Sequence, residues 1–213
     1  MLDQLMWKDF RNQAGVLLLG LFFLAGPYGM YVFNPEPNAL ASSVILSQIT
    51  SLITFAVLGA TIIGQERQNR GMDFLLGMPI PKSRILIAKS LVCLFVAAVI
   101  WGSALLITEV FVDTEPQQVV RMLLSRTAAI GVSLFGMTWL FSVQFRGFAI
   151  PIGAALVVDA ILLLLALKYF SSEAADPEAY YQNVSAFFYP ACVATGLLSF
   201  MAGWGTFMRK MEP

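Results

Sequence analysis

FAIPIGAALVVDAILLLLALKY, Phe148–Tyr169, is the stretch that decides how this chain folds. Almost every position is apolar, yet one carboxylate, Asp159, stands near its centre. A helix rises about 1.5 Å per residue, so roughly 20 apolar residues cross a hydrocarbon layer about 30 Å thick. Phe148–Tyr169 has that length and composition. An ionised carboxylate at such depth costs several kcal/mol unless it is paired, hydrated or protonated, so Asp159 calls for a reason. It is a candidate contact for a substrate or cation, or for a second membrane subunit. A packed aspartate hydrogen-bonded between helices is the structural alternative.

Five further stretches read the same way: Ala14–Phe33, Ala41–Ile63, Ile85–Val112, Met122–Val143 and Ala186–Phe207. The chain is 58% hydrophobic and 12% charged, against roughly 25% charged residues in soluble domains. The reading is an all-α membrane protein with six transmembrane helices, forming one six-span domain over 14–213 with no soluble domain. A membrane β-barrel would show short alternating segments instead. Ahead of the first span, Leu2, Leu5, Met6 and Phe10 follow helical spacing with Trp7 beside them, while Asp3, Gln4, Lys8, Asp9 and Arg11 fill the other side. Residues 1–13 are expected to form an amphipathic helix lying in the interface rather than a signal peptide.

Charge orients the spans. Lys8, Arg11, Arg67, Arg70, Lys82, Arg84, Lys89, Arg146, Arg209 and Lys210 fall on one side, ten of the thirteen basic residues. An excess of Lys and Arg marks the cytoplasmic side, so both termini are expected there. On the other side, Glu109 and Arg126 flank the DTEPQQ turn and are expected to pair between neighbouring helices. Pro27 and Pro151 lie inside spans, where each can kink its helix. The aromatic-rich stretch Ser171–Pro190 is expected to be a long outer connection holding a short helix.

The second connection, GQERQNRGMDFLLGMPIPKSRILIAKS, Gly64–Ser90, is unusual in so apolar a chain. Gln65–Arg70 continues the second span as a polar helix, and Gly71 permits a break. Met72, Leu75 and Leu76 share one helical face. Pro79 and Pro81 stop the segment, and Pro81 with Lys82, Ser83 and Arg84 opens the third span. A short apolar turn on the cytoplasmic side is costly in water, so it wants a membrane surface or a protein partner.

Glu66, then Arg70-Gly71-Met72-Asp73-Phe74-Leu75-Leu76, then Pro79, Ser83-Arg84 and Lys89, resembles the cytoplasmic loop of type 2 ABC transporter permeases, the exporter class. Asp73 stands where that family usually has Glu, and Met72 where it usually has Thr. The resemblance implies that Gly71–Pro79 is a coupling helix docking into a cytoplasmic ABC ATPase subunit. Asp73, Phe74, Leu75 and Leu76 would be the plug, flanked by Glu66, Arg67 and Arg70. It also implies a dimer with a second permease copy or a related permease chain. Small size and a single domain point to a bacterial inner membrane.

The chain carries no Gly-rich loop ending in Gly-Lys-Ser/Thr, so ATP is expected to bind the partner subunit and no cofactor is expected here. There is no histidine, which removes His-based triads and common metal sites, and Cys93 and Cys192 read as buried apolar residues. Nothing suggests nucleic acid as a partner. The competing function is a proton- or ion-coupled secondary transporter using Asp159, although the internal repeats frequent in such folds are not visible.

Overall fold

In the computed structural model the described residues are 2–33, 37–68, 80–111, 114–145, 147–171 and 177–210. They form six helices: α1 Leu2–Phe33, α2 Pro37–Gln68, α3 Lys82–Phe111, α4 Thr114–Gln144, α5 Ala149–Ser171 and α6 Pro177–Lys210. Each contains a stretch long and apolar enough to span a membrane, and the described residues include no strand. This chain is a multi-pass membrane protein. A helix satisfies its own backbone polar groups, which is why apolar runs of this length adopt it in lipid.

Core packing shows that the helices alternate in direction. One cluster joins Leu58 and Ile63 late in α2, Leu86 and Val92 early in α3, Val143 late in α4, and Phe207 late in α6. Met6 and Phe10 from the start of α1 pack on it, so both ends of the described chain lie at this basal end of the bundle. A second cluster gathers Leu24 and Tyr28 late in α1, Val44 early in α2, Ala104 late in α3, and Val120 and Leu124 early in α4. That is the opposite end.

The central helix is α4, packed against α2, α5 and α6. Lipid chains are as apolar as leucine, so close packing rather than hydrophobic exclusion holds such helices together. Glycine permits the closest approach here. A Cβ on Gly136 of α4 would collide with the Gly196 carbonyl of α6, and a Cβ on Gly196 would reach 2.6 Å from the Val132 carbonyl carbon. The two backbones therefore touch. The α5 face carrying Leu156, Val157, Ile161 and Leu164 is exposed, as expected of a lipid-facing surface.

Several sequence expectations change. The first helix is unbroken for 32 residues, Leu2–Phe33, so the described residues 2–13 run without a break into the first span. Its length, about 48 Å, exceeds the hydrocarbon layer. Asp9, expected on the polar side of that segment, is buried, while Trp7 is 66% exposed. Helix α5 begins at Ala149, which puts Pro151 in its first turn. Proline there forfeits no helical hydrogen bond, so it caps rather than kinks. Pro27 does lie inside α1, and the Ser43 hydroxyl donates to the Pro27 carbonyl at 2.6 Å. The expected long outer connection is mostly helix: α6 starts at Pro177 and contains Pro190.

Candidate functional site

The basal end is where the second connection leaves and returns. Helix α2 continues past the apolar run to Gln68, so Glu66 and Arg67 lie in its last turn. Arg70, Gly71, Asp73, Phe74, Leu75, Leu76 and Pro79 fall outside the described residues. On the far side of the connection, the Pro81 carbonyl accepts from the Arg84 amide at 2.9 Å and the Ile85 amide at 3.4 Å. Pro81 thus caps α3, and Lys82–Arg84 form its first turn, as the sequence suggests.

Two polar contacts tie α1 to both helices that border the connection. Lys89 Nζ lies 3.1 Å from Asp9 Oδ1, and Lys89 is only 2% exposed. One helical turn further along α1, Gln13 Nε2 donates to Thr61 Oγ1 on α2 at 3.2 Å. Asp9 and Gln13 are four residues apart, so one face of α1 grips α3 through the first and α2 through the second. Neither pairing was read from the sequence, where Lys89 figured only in the charge count and the loop motif and Asp9 only on the polar side of the first segment. The available signal was Lys89 itself, which stands inside the apolar run of the third span although it was counted with the loop charges.

The turn between α4 and α5 belongs to the same end. Gly147 has φ +90°, a left-handed conformation that side chains disfavour, and this lets the chain reverse between Phe145 and Phe148. The turn rests on α2: a Cβ at Gly64 would lie 3.0 Å from the Gly147 carbonyl. The Ser142 hydroxyl lies 3.3 Å from the Ala60 carbonyl, a second link between α4 and the end of α2. The two helices that border the second connection are thus tied to their neighbours, α2 to α1 and α4, and α3 to α1.

The second feature is intramembrane. Asp159 sits ten residues into the 23-residue α5, about halfway along it. The Ser133 hydroxyl of α4 donates to Asp159 Oδ1 at 2.6 Å. Asp159 is 8% exposed, and Oδ2 is buried without a hydrogen-bond partner among the described residues. Asp159 also forms part of the wall of a cavity of about 300 Å³ between α2, α4 and α5.

At the opposite end the expected Glu109–Arg126 pair is not formed. Glu109 accepts from Arg121, and Arg126 lies over the Tyr189 ring, 5.3 Å from its centre. The cause is the hairpin geometry. Helix α4 starts at Thr114 and absorbs most of the DTEPQQ turn, which leaves Arg126 five residues, roughly 7.5 Å, deeper than Arg121. Cys93 and Cys192 are buried in different clusters.

Residues 13–161 match the family described as "ABC-2 family transporter protein". No curated protein and no solved structure matches the chain.

Proposed function

The chain belongs to the ABC-2 transporter family, whose membrane domains are transport components, and on that footing we propose that it is the permease subunit of an ATP-driven exporter. Its coupling element is Gly71–Pro79, which docks on a separate cytoplasmic ABC ATPase with Asp73, Phe74, Leu75 and Leu76 as the plug. Glu66, Arg67 and Arg70 border the plug. ATP is held by the partner, and this chain contributes no catalytic residue. A second permease copy or a related chain completes the assembly, because paired nucleotide sites call for paired membrane halves. The basal end, with both termini, faces the cytoplasm, in keeping with the excess of Lys and Arg there. A bacterial inner membrane is the setting.

The observation that carries the reading is the binding of α1 to α2 and α3 on either side of the connection, through Gln13–Thr61 and Asp9–Lys89. Closure of the ATPase pair displaces the coupling element. The buried ties then carry that displacement into three spans together, a rocking of packed helices between two arrangements. Affinity purification from the native membrane tests this, with Asp73→Arg plus Leu76→Asp as the comparison. An ATPase copurifies with the wild-type chain and is lost from the folded double variant. No ATPase with the wild type after gentle solubilisation would overturn the exporter reading.

A specific observation favours a second reading. The half-partnered Asp159 in mid-span is the kind of group that an ion-coupled carrier titrates. Transport that follows a proton or sodium gradient without ATP would favour it.

A further inference from the structure

Where α1 meets α3 there is a groove of about 530 Å³, walled by Met6, Trp7 and Phe10 on one side and Leu91, Val92 and Phe95 on the other. Trp7, Leu91 and Phe95 are exposed, so the groove is open to its surroundings. Both walls lie within the spanning stretches Gln4–Phe33 and Lys82–Ile107, so those surroundings are lipid. Arg11 and Arg84 stand on the same two helices. Both are exposed, and neither forms an ion pair among the described residues.

Register places the two arginines against the groove. Helices α1 and α3 both begin at the basal end. Their alignment is fixed by the Asp9–Lys89 contact and by Phe10 against Phe95, with ring centres 5.9 Å apart. On α3, positions 84, 88, 91 and 95 follow helical spacing, so Arg84 stands on the face that carries Leu91 and Phe95. It lies seven residues, roughly 10 Å, nearer the basal end than Leu91. On α1, Arg11 follows Trp7 by four residues and so stands on the same side of the helix. A helical side chain leans toward its own N-terminus, here the basal end, so Arg11 leans back past Trp7 toward the level of Arg84.

Groove and cations together select the occupant. An apolar channel that opens to lipid takes a hydrocarbon chain, whereas a soluble peptide would have to cross the headgroups to reach it. Two arginines without counter-ions, one at the basal mouth and one leaning toward it, call for a phosphate, which a guanidinium holds by charge-assisted hydrogen bonds. One molecule supplies both parts. A zwitterionic phospholipid brings its own ammonium to the arginines and forfeits attraction; an acidic one does not. Basic positions between spanning helices suit acidic headgroups in this way. We infer that the groove between α1 and α3 binds an acidic phospholipid of the basal leaflet, with one acyl chain between Trp7, Phe10, Leu91 and Phe95 and its phosphate on Arg84 and Arg11. Phe10 and Val92 also belong to the cluster that seats α1 on α3, so the bound chain extends that packing beside the Asp9–Lys89 contact. The site requires neither an ATPase nor a cargo and does not rest on the exporter reading.

The test titrates the full chain, in mild detergent, with phosphatidylglycerol or with phosphatidylcholine of the same acyl chains, and reads the first bound lipid by native mass spectrometry. The first phosphatidylglycerol binds about tenfold more tightly than the first phosphatidylcholine. Arg11→Gln combined with Arg84→Gln brings phosphatidylglycerol down to the affinity of phosphatidylcholine, since only the headgroup contacts are lost. Leu91→Trp, which keeps both arginines and fills the groove, weakens the first phosphatidylglycerol by about tenfold or more. Thermal melting in the same detergent shows that each variant is folded, and if the double variant is not, Leu91→Trp decides the matter. Equal affinities of the wild type for the two lipids would overturn the site. So would an undiminished preference in the folded double variant, or wild-type phosphatidylglycerol affinity in Leu91→Trp. A dimer that takes up no first lipid would assign the groove to a second copy of the chain and would also overturn it. The assay contains no ATPase, so failure here and failure to copurify an ATPase are separate results.

Discussion

Asp9 and Asp159 are both carboxylates buried in spanning helices, and their surroundings could hardly differ more. Asp9 lies at the basal end of the bundle with the Lys89 ammonium 3.1 Å away. Asp159 lies midway along α5 with one neutral hydroxyl on one oxygen and no partner on the other. Burial is equal; compensation is not. In a medium that cannot solvate charge, a compensated carboxylate fixes helix positions, whereas an undercompensated one is left to interact with something else. The first therefore reads as scaffold and the second as a site.

The largest expected effect comes from splitting the basal pair. Lys89→Met or Asp9→Leu alone leaves a buried charge without its counter-ion, which costs about 3–5 kcal/mol. Combining the two recovers most of that loss. Thermal or denaturant unfolding in mild detergent measures both, and single variants as stable as wild type would mean that the pair fixes nothing. A smaller effect is expected at the α4–α6 crossing. Gly196→Leu forces apart two backbones in contact and should cost about 1–3 kcal/mol by the same measurement. Gly153, which has open space around its Cα, is the control. Gly153→Ala should be neutral or stabilise by up to about 1 kcal/mol, because it removes a helix-interior glycine.

Asp159→Asn sharpens the comparison. Its amide oxygen can still accept from Ser133, so stability should change by no more than about 1 kcal/mol. A loss as large as that of the Asp9 variants would erase the distinction between scaffold and site. The smallest effect belongs to Arg121→Ala. The Arg121–Glu109 pair is about half exposed on both sides, and such pairs are worth roughly 0.2–1 kcal/mol.

The spans were legible because length and apolarity are local properties. The sequence reading of the fifth, Phe148–Tyr169, differs by one residue from the spanning stretch in the structure, Ala149–Tyr169. Which face each helix turns inward was not legible. Periodicity reveals an inward face when one side is polar, but a helix apolar all round carries little such signal. Asp9 was assigned to the polar side because its counter-ion, Lys89, is 80 residues away in sequence. The pairing of Glu109 was misplaced because it depends on where the α3–α4 hairpin turns, and helix ends are the least local feature of a sequence pattern. Proline and aromatics made 177–190 look like a connection holding only a short helix, although proline is at home in the first turn of α6 and two of the aromatic side chains pack inward: Phe188 and Tyr189 belong to the cluster with Ala166 and Cys192. Asp159 was legible as an anomaly. Its Ser133 partner and its cavity were not, since both arise from packing between helices.

The account turns on the 69–79 segment meeting an ATPase, and a photo-crosslinking phenylalanine analogue placed at Leu75 tests this most directly. The same analogue at Asn38, at the opposite end of α2 from that segment, serves as the comparison. In native membranes the account predicts an ultraviolet-dependent adduct between position 75 and an ATPase subunit, and none from position 38. Position 75 yielding no protein adduct, or the same adducts as position 38, would contradict it.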